Sequence, residues 1–102
     1  MSMQTDVRAR EIQFRANQEK AEVTALLGQI SDTGLKKRLQ LAMFWLDDVE
    51  SFLLPHALKA DPTHATMWIN HAEATLHMAA ERRRFVQEIV ATYGPNAVSV
   101  GT

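Results

Sequence analysis

Apolar residues recur along this chain at steps of three and four, the spacing that gathers side chains on one face of an α-helix. The longest such stretch runs from Leu35 to Leu54, LKKRLQLAMFWLDDVESFLL. Leu35, Leu39, Ala42, Leu46, Val49 and Leu53 form one row, and Leu41, Trp45 and Phe52 form a second beside it. Met43, Phe44 and Leu54 fall outside both. One face packed on a small core does not need this much apolar surface, so the stretch reads as a helix covered on two sides.

Glycine and proline punctuate the pattern and predict three helices. The first spans about residues 5–28, with Ala9, Ile12, Ala16, Glu19, Val23, Leu26 and Ile30 as its main stripe. Glu19 is the one misfit in that row. Gly28 and the run Ser31-Asp32-Thr33-Gly34 mark the break, with Ser31 or Asp32 as the cap of the next helix. The second helix spans about 33–54. At Pro55 it kinks or ends, with an extra turn over about 55–60, because proline lacks a backbone donor and crowds the preceding turn. The third spans about 62–93: Asp61-Pro62 is a cap followed by a first-turn proline, and Tyr93-Gly94-Pro95 is a glycine stop backed by proline. Its main stripe is Ile69, Ala72, Leu76, Ala79, Val86 and Val90, interrupted by Arg83. The tail, about 94–102, contains Ala97-Val98-Ser99-Val100, which suits extended backbone. Short connections make consecutive helices antiparallel, so the expected fold is an all-α, up-down three-helix bundle in one domain over residues 1–102.

Each helix carries a second apolar line away from its main one. These are Val7, Phe14, Ala21 and Gly28 in the first, Leu41, Trp45 and Phe52 in the second, and Met67, Ala74, Met78, Phe85 and Ile89 in the third. A three-helix bundle buries roughly one face per helix, so second lines on all three point to further contacts. The expected use is an interface, in the first instance a homodimer through helix two, since two-fold pairs dominate soluble oligomers. The alternative is a broad core with scattered exposed apolar residues. Trp45 and Trp68 are expected in adjacent layers of the hairpin made by helices two and three.

Composition narrows this picture without redirecting it. The 102 residues are 46% apolar and 23% charged, with eleven basic and twelve acidic side chains and a net charge of −1. Such balance gives no argument for nucleic acid or an anionic membrane as partner. Basic residues do cluster at Arg8/Arg10/Arg15, Lys36-Lys37-Arg38 and Arg82-Arg83-Arg84, but at different heights and with acidic neighbours. No cysteine is present, which removes thiolate chemistry. Charges at Lys36–Arg38 and Asp47–Glu50 interrupt the best candidate for a membrane span, and the first residues lack the apolar run of a signal peptide, so a cytoplasmic location is expected.

Candidate chemistry is sparse. Glu19 lies eleven residues before Ile30 and Arg83 ten before Tyr93, so in parallel helices they fall at one level and pair across the core. The other reading is that both reach out to water. Among the histidines, His64 and His71 are two turns apart on one face, and antiparallel pairing would bring Asp47 near His71, a weak metal candidate. His56-Ala-Leu-Lys-Ala60 resembles the phosphorylated segment of histidine phosphotransfer domains, helical bundles in which a histidine is followed by Leu-Lys-Gly. The resemblance implies a phosphoryl group on His56 with Lys59 beside it. Ala60 stands where that family has glycine, Pro55 precedes the histidine, and Asp61-Pro62 ends the helix that the family continues. No phosphate loop, catalytic Ser-His-Asp order or glycine-rich cofactor turn occurs, and no cofactor is expected. The resulting expectation is a non-catalytic interaction or structural module whose partner is protein, in the first instance itself. Its rivals are a structural component of a larger assembly such as a virion, and a histidine-centred phosphotransfer or metal-binding protein.

Overall fold

A computed structural model describes residues 3–94, the side chain of Met3 excepted. The tail expected to be extended at Ala97–Val100 lies outside the described residues. Helices α1 (Met3–Leu27), α2 (Thr33–Asp48), α3 (Leu54–Lys59) and α4 (Pro62–Tyr93) follow in order, with a wide π-helical turn at Val49–Leu53 joining α2 to α3. That turn makes α2 and α3 one helical run, so the architecture is an all-α bundle of three rods measuring 52 × 18 × 17 Å. Side-chain pairs fix the directions. Arg8 meets Glu73 and Glu19 meets Arg83, so α1 and α4 are parallel. Phe52 meets Trp68 and Trp45 meets Arg82, so α2 and α4 are antiparallel.

Local chemistry sets the ends of the rods. The Asp32 carboxylate accepts from the Leu35 backbone N–H at 2.8 Å, and Asp61 accepts from that of His64 at 2.9 Å, each satisfying a donor that the helix start leaves free. Pro62 occupies the first turn of α4, where no N–H is needed. Gly94 ends α4 with φ 94°, a left-handed value that glycine adopts without cost, and its N–H bonds the Val90 carbonyl at 2.8 Å.

The interruption expected at Pro55 falls just before it. Leu54 N–H reaches back five residues to the Val49 carbonyl, which widens the turn against which the proline ring would otherwise clash. The backbone stays right-handed helical at Leu53 and Leu54, and the rod continues to Lys59. A π turn holds one residue more than an α turn, so it shifts the phase of everything after it. Leu53 and Leu54 are therefore both buried, and Ala57 continues the buried row.

The core is built from the main stripes. Ala9, Ile12, Ala16, Val23, Leu26 and Ile30 of the first rod and its loop are buried against Leu35, Leu39, Ala42, Leu46, Val49 and Leu53 of the second. Ile69, Ala72, Leu76, Ala79 and Val86 close it from α4, with Val90 partly buried. Small residues such as Ala16, Ala42, Ala72 and Ala79 let the helices approach closely, and the leucines fill the gaps between them.

Candidate functional site

Three grooves run along the bundle, and they are sealed by different chemistry. Between α1 and α4, Arg83 makes a two-pronged bond to Glu19 (Nη2–Oε1 2.6 Å, Nε–Oε2 3.0 Å) and a further contact to Glu22 at 2.8 Å. Its hydrogen bonds to Glu19 hold the guanidinium pKa above its ordinary value. Farther along, Glu73 accepts from Arg8 at 2.9 Å and Arg15 at 3.4 Å, and those bonds hold its carboxyl below the usual range. Between α1 and the second rod, Lys20 bonds Asp47 and Glu50, each at 2.8 Å. Partial burial disfavours the Lys20 charge, but the two carboxylates outweigh it and raise its pKa. The interhelical ion pairs among the described residues all have one partner on α1.

The α2/α4 groove is closed by rings and cations instead. Arg38 lies over Phe85, 5.6 Å from the ring centroid, and Arg82 lies over Trp45 at 5.4 Å. Phe52 packs edge-on against Trp68, with centroids 5.7 Å apart, and His56 leans on both rings. A carbonyl oxygen can only accept, so the 2.8 Å contact between His56 Nδ1 and the Phe52 carbonyl places the ring proton on Nδ1. Arg38, Trp45, Met78, Glu81, Arg82 and Phe85 line a shallow depression of about 320 Å³.

The second apolar lines divide between two faces. Leu41, Phe52, Met67, Met78 and Phe85 are exposed along the second rod and α4, while Trp45 and Ile89 are partly buried against the core. Val7 and Phe14 are exposed on α1, on the side opposite its buried stripe. Phe14 retains 63% of its accessible surface, Met67 54% and Phe52 44%. The face along α2 and α4 also includes Arg38, Trp68 and Arg82, which the stripes alone do not pick out. Their signal in the sequence is positional: Arg38 precedes Trp45 by one heptad, and Arg82 falls between Met78 and Phe85.

The metal candidates do not converge. Asp47, expected beside His71, bonds Lys20 because it lies on the edge of α2 that faces α1. His64 is engaged by the cap Asp61 at 2.8 Å, and His71 is exposed. Among the described residues, no three His, Cys, Asp or Glu side chains form a group able to hold a metal ion. Nor is any helix of the described residues long and apolar enough to cross a membrane. No family model matches the chain, and neither a curated protein nor a solved structure matches it.

Proposed function

We propose that this chain is a non-catalytic interaction or structural module that self-associates and uses the α2/α4 face as a contact surface. The observation that carries the reading is the row of large apolar side chains left exposed there, Leu41, Phe52, Met67, Met78 and Phe85. Each is attached to a well-packed rod, so the row is a fixed surface rather than a loop that could fold back. Exposed apolar surface of this extent, with aromatic and methionine side chains at its centre, has the composition of interface cores. Arginine lying over the Phe85 and Trp45 rings adds a residue type enriched at binding hot spots. The chemistry of the other two grooves, ion pairs within the protomer, supports their role as internal seams.

Sedimentation equilibrium tests the reading. The native chain should show concentration-dependent mass in the micromolar range, and Phe52→Glu should weaken that association while leaving the helical signal intact. A native chain that stays monomeric up to about millimolar concentration, where binding is worth only about 4 kcal/mol, would defeat it.

A further inference from the structure

The two exposed apolar faces lie on opposite sides of the bundle. The buried stripe of α1 points between α2 and α4, so Val7 and Phe14, on the far side of the same helix, point away from the α2/α4 groove. We infer that the groove of one copy takes the outer face of α1 of the next copy, so that the chain assembles head to tail. The inference rests on the self-association proposed above and names the arrangement.

Repeat and charge both favour this pairing. Val7 and Phe14 are seven residues apart, as are Arg38 and Trp45 on one wall of the groove and Met78 and Phe85 on the other. Equal repeats let a helix lie along a two-helix groove with its side chains in step. Glu11 falls four residues after Val7 and three before Phe14, and Arg82 falls four after Met78 and three before Phe85. Seating Val7 and Phe14 at the level of Met78 and Phe85, with the docked helix running parallel to α4, therefore brings Glu11 level with Arg82 and onto the α4 side of the groove. Among the described residues neither group makes an ion pair within its own protomer, and Arg82 lies over the Trp45 ring. Asp6 and Arg10 lie one turn apart on the edge of α1 toward the second rod. At the rim of the groove Glu81 is engaged by His77 at 3.0 Å, and Asp48 lies a turn beyond Trp45. A two-fold axis through the Trp45–Met78 depression would instead bring Arg38 and Arg82 of both copies together, a like-charge contact that works against an isologous dimer. Contacts between opposite faces do not close on themselves, so the assembly grows beyond two copies.

The test uses the full chain and two variants, Phe14→Glu and Phe85→Glu, at positions that are exposed in the protomer. Circular dichroism and a thermal melt establish that each is folded. In sedimentation velocity the native chain should grow past dimer with concentration, and each variant alone should be monomeric. An equimolar mixture should give a 1:1 heterodimer, because each variant keeps one working face. Glu11→Arg and Arg82→Glu should each weaken association about tenfold, and the chain carrying both should regain most of it, since the charge pair is restored with reversed sign. If Phe14→Glu associates like the native chain while Phe85→Glu does not, the head-to-tail arrangement is overturned and self-association through the α2/α4 face stands. A native chain that never associates overturns both.

Discussion

Arg83 and Glu19, 64 residues apart in sequence, form a bidentate ion pair across the α1/α4 seam, with only 13% and 12% of their side-chain surfaces exposed. Two long polar side chains thus occupy positions that the heptad pattern reserves for apolar ones. Removing one partner leaves the other charge half-desolvated and without its bidentate bonds. We expect Arg83→Met or Glu19→Leu to lower unfolding stability by about 2–3 kcal/mol in urea titrations. Replacing both together, as Glu19→Leu with Arg83→Met, should cost less than either single change, because no buried charge is then left unpaired. A double-mutant cycle measures the difference, and additive losses would show that the pair is no more than two independent contacts.

How much of this was legible follows from what each residue depends on. The core rows and the level of Glu19 against Arg83 depend on helical period and on counting from the helix ends, and both quantities are local. Asp61-Pro62 and Tyr93-Gly94 likewise carry their cap chemistry within a few residues. Leu54 and Ala57 were hidden because the π turn at Val49–Leu53 shifts the helical phase by a residue, and a constant angle per residue then places them wrongly. Asp47 went to Lys20 rather than to His71 because the rotation of α2 about its axis decides which neighbour an edge residue meets. Arg38 and Arg82 looked like ordinary basic residues, and only the packed grooves reveal which cations lie on rings.

Asp32 offers a test of how firmly the first turn of α2 is fixed. Its carboxylate is buried and accepts from Leu35 N–H at 2.8 Å, and Leu35 is itself in the core. Asp32→Ala should cost about 1 kcal/mol of stability, and Asp32→Asn clearly less, since the amide oxygen still accepts. Hydrogen exchange at Leu35 should accelerate in the alanine variant. Unchanged exchange there would mean that the turn is held by packing alone.

Acid should loosen the α1/α4 seam through Glu73. Its hydrogen bonds to Arg8 and Arg15 lower its pKa below the ordinary value of 4.5. A carboxylate with a depressed folded pKa contributes stability above the unfolded value and loses it as pH falls through the folded one. The side chain is 44% exposed, so solvent screening limits the contribution to roughly 0.5 kcal/mol. We expect native chain and Glu73→Gln to differ by that amount at neutral pH and to converge below the folded pKa. A gap that persists in strong acid would assign the effect to packing rather than charge.

Adjacent residues Phe52 and Leu53 separate folding from contact. Leu53 is 2% exposed in the shared core, whereas Phe52 lies on the outer face with its ring against Trp68 and His56. Leu53→Ala opens a cavity where three rods meet and should lower stability by about 3 kcal/mol, a large share of what a domain this size possesses. Phe52→Ala removes a half-exposed ring and should cost no more than about 1 kcal/mol in dilute protein, where only the protomer is measured. In concentrated protein the order should reverse for assembly: Phe52→Ala should weaken association, while Leu53→Ala, where still folded, should retain it. Melting followed at low and high concentration reads both effects together, because association stabilises the folded chain by mass action. If Phe52→Ala destabilised dilute protein as much as Leu53→Ala does, Phe52 would belong to the core, and the α2/α4 row would lose its central member.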